Sequence, residues 1–392
     1  MIKLGRRRNL IYAMMFVIFH FLRKVDSIIM KNHMEFHGSL LLTSLMFIAD
    51  FISGLIVYLY NLKYLREKEA SKFMGIELIQ APSNITPPDS SLKILLLLIM
   101  LSYLDFSEYI LSSFYIPEEY QDVSNTIEWR LKSIIICSSA FLCYFTLKFP
   151  IFKHQLITII IISICLLIVI LTEIIAYASS DAHTIGHILK VIFLMIIDHI
   201  FNSSVDVIEK YLLEYDFMNP YLILMIEGII GFIFSFIFSF FEDPFKQLRK
   251  IHDNESENKF TYLIICIAIY FLLSCGRNIY RITTNKLFSP THKALFDYIL
   301  TPLLIIYYFI WDDDFRINDK RVFYYFFINL IISFIMVFCG LIYNELIIIF
   351  FCGLEYNTHY EVSKRAKKIE SRAFDNSLNE SESEMSSFFS EE

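Results

Sequence analysis

Apolar positions along this chain do not alternate with polar ones. They gather into continuous runs of about 20 residues, divided by short charged stretches. A bilayer core about 30 Å thick selects that length for a helix. The runs predict membrane-spanning helices at about 9–30, 38–61, 93–115, 129–147, 154–177, 187–212, 219–241, 260–281, 293–311 and 323–350. Within lipid, only helices and closed barrels satisfy their own backbone, and unbroken apolar runs exclude a barrel. The expected fold is therefore an all-α membrane protein with ten transmembrane helices. Arg23 and Lys24 interrupt the first run, which is read as an uncleaved span because no small-residue cleavage site follows it.

Between the runs, residues 62–92 form the longest predicted loop, polar and ending in Ala81-Pro82-Ser83 and Pro87-Pro88, and it is expected to be flexible. Residues 351–392 form an acidic, Ser-rich tail (Asn379-Glu380-Ser381-Glu382-Ser383-Glu384) that cannot bury a core and is expected to be largely disordered. It reads equally as a phosphorylation target or an unmodified spacer. With residues 1–8 placed in the cytosol, more of the loop Lys and Arg fall on the cytosolic side than opposite, including Arg6, Arg7, Arg8, Lys63, Arg66, Lys148 and Lys153. The hairpin Pro117–Ser124 carries Glu118, Glu119 and Asp122 without a cation, as suits a non-cytosolic loop. Both termini are then cytosolic.

Composition agrees. The chain is 56% hydrophobic and 19% charged, against about 45–50% and about 25% in soluble domains. The formal net charge of −7 offers nothing basic enough for nucleic acid. Its partners are expected to be a small-molecule solute and the bilayer, with a homodimer left open. The seven cysteines lie in or beside apolar runs without a CxxC or Cys/His cluster, so neither a disulfide framework nor a zinc site is supported. His183 and His187 stand at i, i+4 but lack a third ligand. No HExxH, GxSxG or phosphate-cradling glycine loop occurs. The chain is not expected to be an enzyme or to need a cofactor.

Ionisable residues at membrane depth are costly and mark functional candidates. In the sixth run Asp198, Asn202, Asp206 and Glu209 share one helical face, and in the eighth Ser274, Asn278, Arg281 and Asn285 do, with Arg277 beside them. The third run carries Asp105, Glu108 and Ser112, and single charges stand at Asp50, Arg130, Glu173, Glu227 and Asp297. Each residue has two readings, a structural ion pair or the wall of a cavity; two striped helices favour a polar cavity for the set. Guanidinium suits planar recognition of carboxylate or phosphate. Arg130 and Arg277 are thus candidates to hold solute charge, and Asp198, Asn202, Asp105, Asp50, Asp297 and Asn278 to orient the solute or couple its movement. Gly228 and Gly231 predict close helix packing, and Pro290 and Pro302 flank and interrupt the ninth run, which reads as a break at a transport site or as an ordinary kink.

Several strings resemble a known family. Phe36-His37-Gly38 with Ser44-Leu45-Met46-Phe47-Ile48-Ala49-Asp50, Trp129-Arg130 through Lys148 followed by Lys153-His154-Gln155, and Val207-Ile208-Glu209-Lys210-Tyr211 followed by Pro220 and Glu227-Gly228-Ile229-Ile230-Gly231 look like motifs of F-type solute carrier family 35 proteins. These belong to the drug/metabolite transporter superfamily, with nucleotide-sugar transporters and chloroquine-resistance-transporter-like proteins. The chain departs from the pattern at Asp50, where Glu is expected, at Arg23-Lys24, and in its acidic third helix. The resemblance implies two inverted five-helix repeats, 9–177 and 178–350, around a central cavity. It also implies alternating access and an endomembrane address in the Golgi, endoplasmic reticulum or lysosome/vacuole. The expected function is a secondary transporter for a polar, anionic organic solute of the nucleotide-sugar or metabolite class. The alternatives are a membrane-embedded transferase and a non-transporting receptor or scaffold.

Overall fold

The computed structural model describes residues 4–36, 38–72, 91–111, 128, 130–149, 151–178, 185–254, 257–311, 320–347, 358, 361 and 365. Ser112, the Pro117–Ser124 hairpin, most of the 62–92 loop and most of the 351–392 tail lie outside them.

The described residues fold into α-helices without strands: α1 (Leu4–Met34), α2 (Ser39–Lys72), α3 (Ser91–Ile110), α4 (Ser133–Thr146), α5 (Lys153–Ala178), α6 (Ile185–Glu214), α7 (Pro220–Phe238), α8 (Lys246–Asn254), α9 (Glu257–Leu287), α10 (Pro290–Tyr298), α11 (Leu300–Trp311) and α12 (Lys320–Tyr343). Five segments are long and apolar enough to cross a membrane: Leu40–Lys63, Lys153–Ile175, Ile188–Glu214, Pro220–Phe238 and Asn258–Leu287. This is compatible with an integral, multi-pass membrane protein. The other apolar runs are also helical but differ in kind. Arg6–Arg8, Arg23, Lys24 and Asp26 charge α1, while α3 holds Lys93, Asp105 and Glu108. The apolar helix in α4 and that at Phe327–Tyr343 are shorter. The run at 293–311 is divided at Ile299 into α10 and α11. Pro302 lacks the N–H that would bond the Tyr298 carbonyl, so the helix is weakest there.

Local chemistry sets the ends. Asn219 caps α7, its Oδ1 accepting from the Tyr221 amide at 2.9 Å, and Pro220 takes the first helical position. Ser289 and Pro290 start α10 in the same way. At the ends of α1 and α6 the chain turns through Glu35 (φ 53°) and Phe217 (φ 51°). The Phe36 amide then donates to the Met30 carbonyl at 3.0 Å, and the Met218 amide to the Leu212 carbonyl at 3.0 Å. Both bonds reach back six residues and close the helix end over a left-handed residue that is not glycine.

Packing runs α1 along α9, α2 along α7 and α9, α3 along α6 and α7, α4 along α6 and α10, and α5 along α12. The α2–α7 seam is closest. A Cβ on Gly54 would meet the Met225 amide nitrogen at 2.8 Å, and one on Gly228 would meet the Phe51 amide nitrogen at 2.4 Å. Each helix therefore presents a glycine to the backbone of the other, which is how membrane helices gain contact when no hydrophobic force drives them together. Apolar clusters fill the interior: Leu131, Ile135, Ile162, Met195, Tyr298 and Met336 join α4, α5, α6, α10 and α12. Leu101, Val205, Leu224 and Ile282 join α3, α6, α7 and α9. Outside, large apolar side chains stand exposed, among them Leu156, Ile164, Leu167 and Leu171 along α5. Contiguous apolar surface on this scale would drive aggregation in water and suits lipid.

Candidate functional site: a charged cavity at the centre of the bundle

The charged stripe on α6 has nowhere apolar to go, and it turns inward. Asp198, Asn202 and Asp206 line a cavity of about 70 Å³ together with Arg277 and Arg281 of α9 and Asp105 of α3. His20, Arg23 and Lys24 of α1, Lys293 and Asp297 of α10, and Glu128 and Lys132 before α4 complete its polar wall. The apolar share comes from Phe16, Ile135, Val205 and Ala294.

Most of these charges are matched across helices. Asp297 accepts from Lys132 at 2.7 Å through one oxygen and lies 2.6 Å from His20 Nδ1 through the other, joining α10, α4 and α1. Lys293 pairs with Asp206, and Lys24 with Glu128 at 3.5 Å. Arg281 is held by Glu209 at 2.7 Å and Glu227 at 2.8 Å. Asn285 donates to the other Glu209 oxygen at 2.8 Å. Such pairs offset desolvation only when well made, and each side chain removed leaves a stranded charge.

Three wall residues stand apart. Arg23 is 6% exposed, and its Nε and Nη1 have no hydrogen-bond partner. Its guanidinium lies 5.6 Å from the centre of the Tyr270 ring, a contact that holds the group without using its in-plane donors. Arg277 donates from Nη1 to Asn278 at 3.1 Å, while its Nε has no partner. Neither arginine meets a carboxylate within ion-pair distance among the described residues. Asp105 is likewise without a hydrogen bond or ion pair among them, although it lies in the field of Arg277 and Arg281.

A larger cavity of about 450 Å³ lies beside the α4–α5 connection and the start of α10, where Gln155, Lys210, Glu214, His292, Asn344 and Glu345 contribute to its wall. On α6, Asp206 faces the smaller cavity and Lys210, one turn later, the larger. On α10, Thr291 and His292 face the larger cavity, Lys293 and Ala294 the smaller. The Asp206–Lys293 pair thus stands between the two sets of lining residues. Lys210 also donates to the Asn285 and Lys286 carbonyls at 3.0 and 3.1 Å, closing the end of α9.

Of the residues singled out from sequence, Asp105, Asp198, Asn202, Arg277 and Asp297 meet at the smaller cavity. Asn278 is behind it, buried and bonded to Arg277. Asp50 is buried in α2 with one oxygen lacking a hydrogen-bond partner, in the field of Arg281. Arg130 is not among the lining residues: it pairs with Glu173 of α5, whose same oxygen accepts from Asn329 of α12 at 3.0 Å. Sequence reading did not single out His20, Arg23, Lys24, Glu128, Lys132 and Lys293. The signal was present for Arg23 and Lys24, whose charges break an apolar run and require a wet or paired environment. Among the described residues no group of three or more His, Cys, Asp or Glu is placed to hold a metal ion.

No family model matches the chain. No curated protein matches it either. A solved structure described as "Crystal structure of protein" is similar over 86% of this chain and 96% of that one, at 9% identity and a TM-score of 0.47.

Proposed function

We propose that this protein is a secondary transporter that moves a polar, anionic organic solute across an internal membrane by alternating access. The observation that carries the reading is a buried cavity whose wall holds two arginines, Arg23 and Arg277, without a carboxylate partner among the described residues. A guanidinium kept at membrane depth without an anion is costly. An arriving carboxylate or phosphate would supply the missing charge and accept its donors.

In this reading the chain crosses the membrane ten times, as two inverted repeats with both termini cytosolic. What supports the repeats is the pairing of helices. Exchange α1 with α6, α2 with α7, α3 with α9, α4 with α10–α11 and α5 with α12. The pair α1–α9 becomes α6–α3, the pair α2–α9 becomes α7–α3, and α2–α7, α4–α10 and α5–α12 return to themselves; all are packed pairs. The left-handed ends of α1 and α6 and the facing Gly54 and Gly228 are exchanged as well. The short strings resembling solute carrier family 35 proteins point the same way. Rocking of one half against the other would open the cavity by turns to each side, with the larger cavity serving as one mouth.

The test is uptake of a panel of radiolabelled organic carboxylates and phosphates into proteoliposomes. At least one is expected to accumulate above protein-free vesicles, and Arg277→Gln is expected to abolish that uptake while the protein stays folded. Lack of uptake across the panel, or uptake indifferent to Arg277→Gln, would count against the proposal.

A further inference from the structure

We infer that the Asp206–Lys293 ion pair is the gate between the central cavity and its larger mouth, and that it parts for solute to pass. The inference rests on the transporter reading and supplies its moving element. Four helices run past both cavities. On α1, Leu10 lines the larger cavity and Phe16 the smaller; on α4, Cys143 the larger and Ile135 the smaller. On α6, Lys210 lines the larger and Asp206 the smaller; on α10, Thr291 the larger and Lys293 the smaller. Among the described residues none lines both. The larger cavity reaches outward to Glu214 and Leu287, exposed at its rim, and inward to Cys143 and Thr291, both buried.

A closed layer separates the two. The side chains of Lys293 and Asp206 are 7% and 9% exposed and pair between α10 and α6. The Lys293 ammonium also lies 5.8 Å from the centre of the Phe16 ring, and Phe16 is fully buried. Beside them the Thr291 hydroxyl meets the Cys143 sulfur at 4.0 Å, joining α10 to α4. An ion pair suits a gate better than an apolar plug. The desolvation of two buried charges largely cancels their attraction, and water in the joined cavities would hydrate each charge once they part. Closed and open states then stay near in free energy, as a switch requires. An apolar plug would instead expose its whole surface to water on opening. Lys293 also stands on a short carrier: α10 has nine residues, between the Ser289 cap and the break at Ile299. Element ends of this kind are where backbone angles absorb a hinge motion.

The test is thiol labelling of the full chain, its seven native cysteines replaced by serine, with a membrane-impermeant reagent on vesicles of either orientation. Glu214→Cys reports the larger cavity and identifies the face on which it opens, and Asn202→Cys reports the central one. From that face Asn202→Cys is expected to react about tenfold or more slowly than Glu214→Cys, because a minor open state holds about 0.1–10% of molecules. Adding Asp206→Asn and Lys293→Met together is expected to raise its rate by about fivefold or more, the rise from a tenth of molecules open to half. Reversing the pair, as Asp206→Lys with Lys293→Asp, is expected to restore slow labelling. A pair that only holds helices together would lower stability and leave these rates unchanged. Equal rates for Asn202→Cys and Glu214→Cys with the pair intact would overturn the inference, and that comparison needs no gate variant to fold. So would an Asn202→Cys rate indifferent to the neutral pair. Either result, with Asn202→Cys labelled from both faces, would leave the transporter reading intact. Labelling of Asn202→Cys from neither face in any of these proteins would remove both.

Discussion

Arg281 on α9 donates from Nη2 to Glu227 on α7 at 2.8 Å, both side chains at most 4% exposed. Glu209 on α6 takes the opposite arm of the same guanidinium, so one arginine ties three helices. Arg277, one turn earlier on α9, has no such anchor. The two therefore predict opposite phenotypes. Arg281→Met strands two buried carboxylates and should cost about 3–5 kcal/mol of stability, read from unfolding in detergent. Arg277→Gln should cost no more than about 1 kcal/mol, the scale of its bond to Asn278, yet abolish uptake. A stable Arg281→Met protein would remove the distinction between anchor and binding residue.

At the α2–α7 seam, Gly228→Ala should destabilise by about 1–3 kcal/mol, the cost of overpacking, because its new methyl would press on the Phe51 amide and the Phe47 carbonyl. Gly54→Ala, which meets α7 backbone, should behave alike, whereas Gly186→Ala meets nothing within 4 Å and should be close to neutral. Thermal melts of the three variants check the order. Equal melting of Gly228→Ala and Gly186→Ala would contradict the close approach.

Lys293 and Asp206 are buried at 5% and 6% exposure and pair between the two cavities. Lys293→Met and Asp206→Asn should each lower stability, and the double variant should lose less than the sum, with a coupling of about 0.5–3 kcal/mol. Additive losses would show that the pair makes no net contribution.

Arg130 makes a parallel case on the other side of the bundle. Its partner Glu173 also receives Asn329, linking the start of α4 to α5 and α12. Arg130→Gln should reduce stability while leaving uptake per folded molecule nearly unchanged. A selective loss of uptake at full stability would instead draw Arg130 into solute binding.

The helices were readable because apolar runs of helical length have few alternatives: α2, α5, α6, α7 and α9 fall where the runs lie. Pro302 disclosed the division of α10 from α11, since a missing amide acts locally. The short amphipathic α8 was not foreseen, because its polar residues read as loop. Charge partners were harder. The stripe of Asp198, Asn202 and Asp206 gives a face by periodicity alone. Nothing local says that Arg130 meets Glu173 while Arg277 meets no acid among the described residues, for those outcomes depend on helices far apart in sequence. Arg23 and Lys24 were visible as interruptions of α1, but their place in the cavity wall depends on α9 and on Glu128.

The central claim is that these buried charges border a wet cavity reached by turns from both sides. Asn202→Cys, in a chain whose seven native cysteines are replaced by serine, tests it without knowledge of the solute. A membrane-impermeant thiol reagent is applied to right-side-out and to inside-out vesicles, and modification of the cysteine is followed in each. Alternating access predicts labelling from both faces. Labelling from neither face, or from one face only, would contradict it.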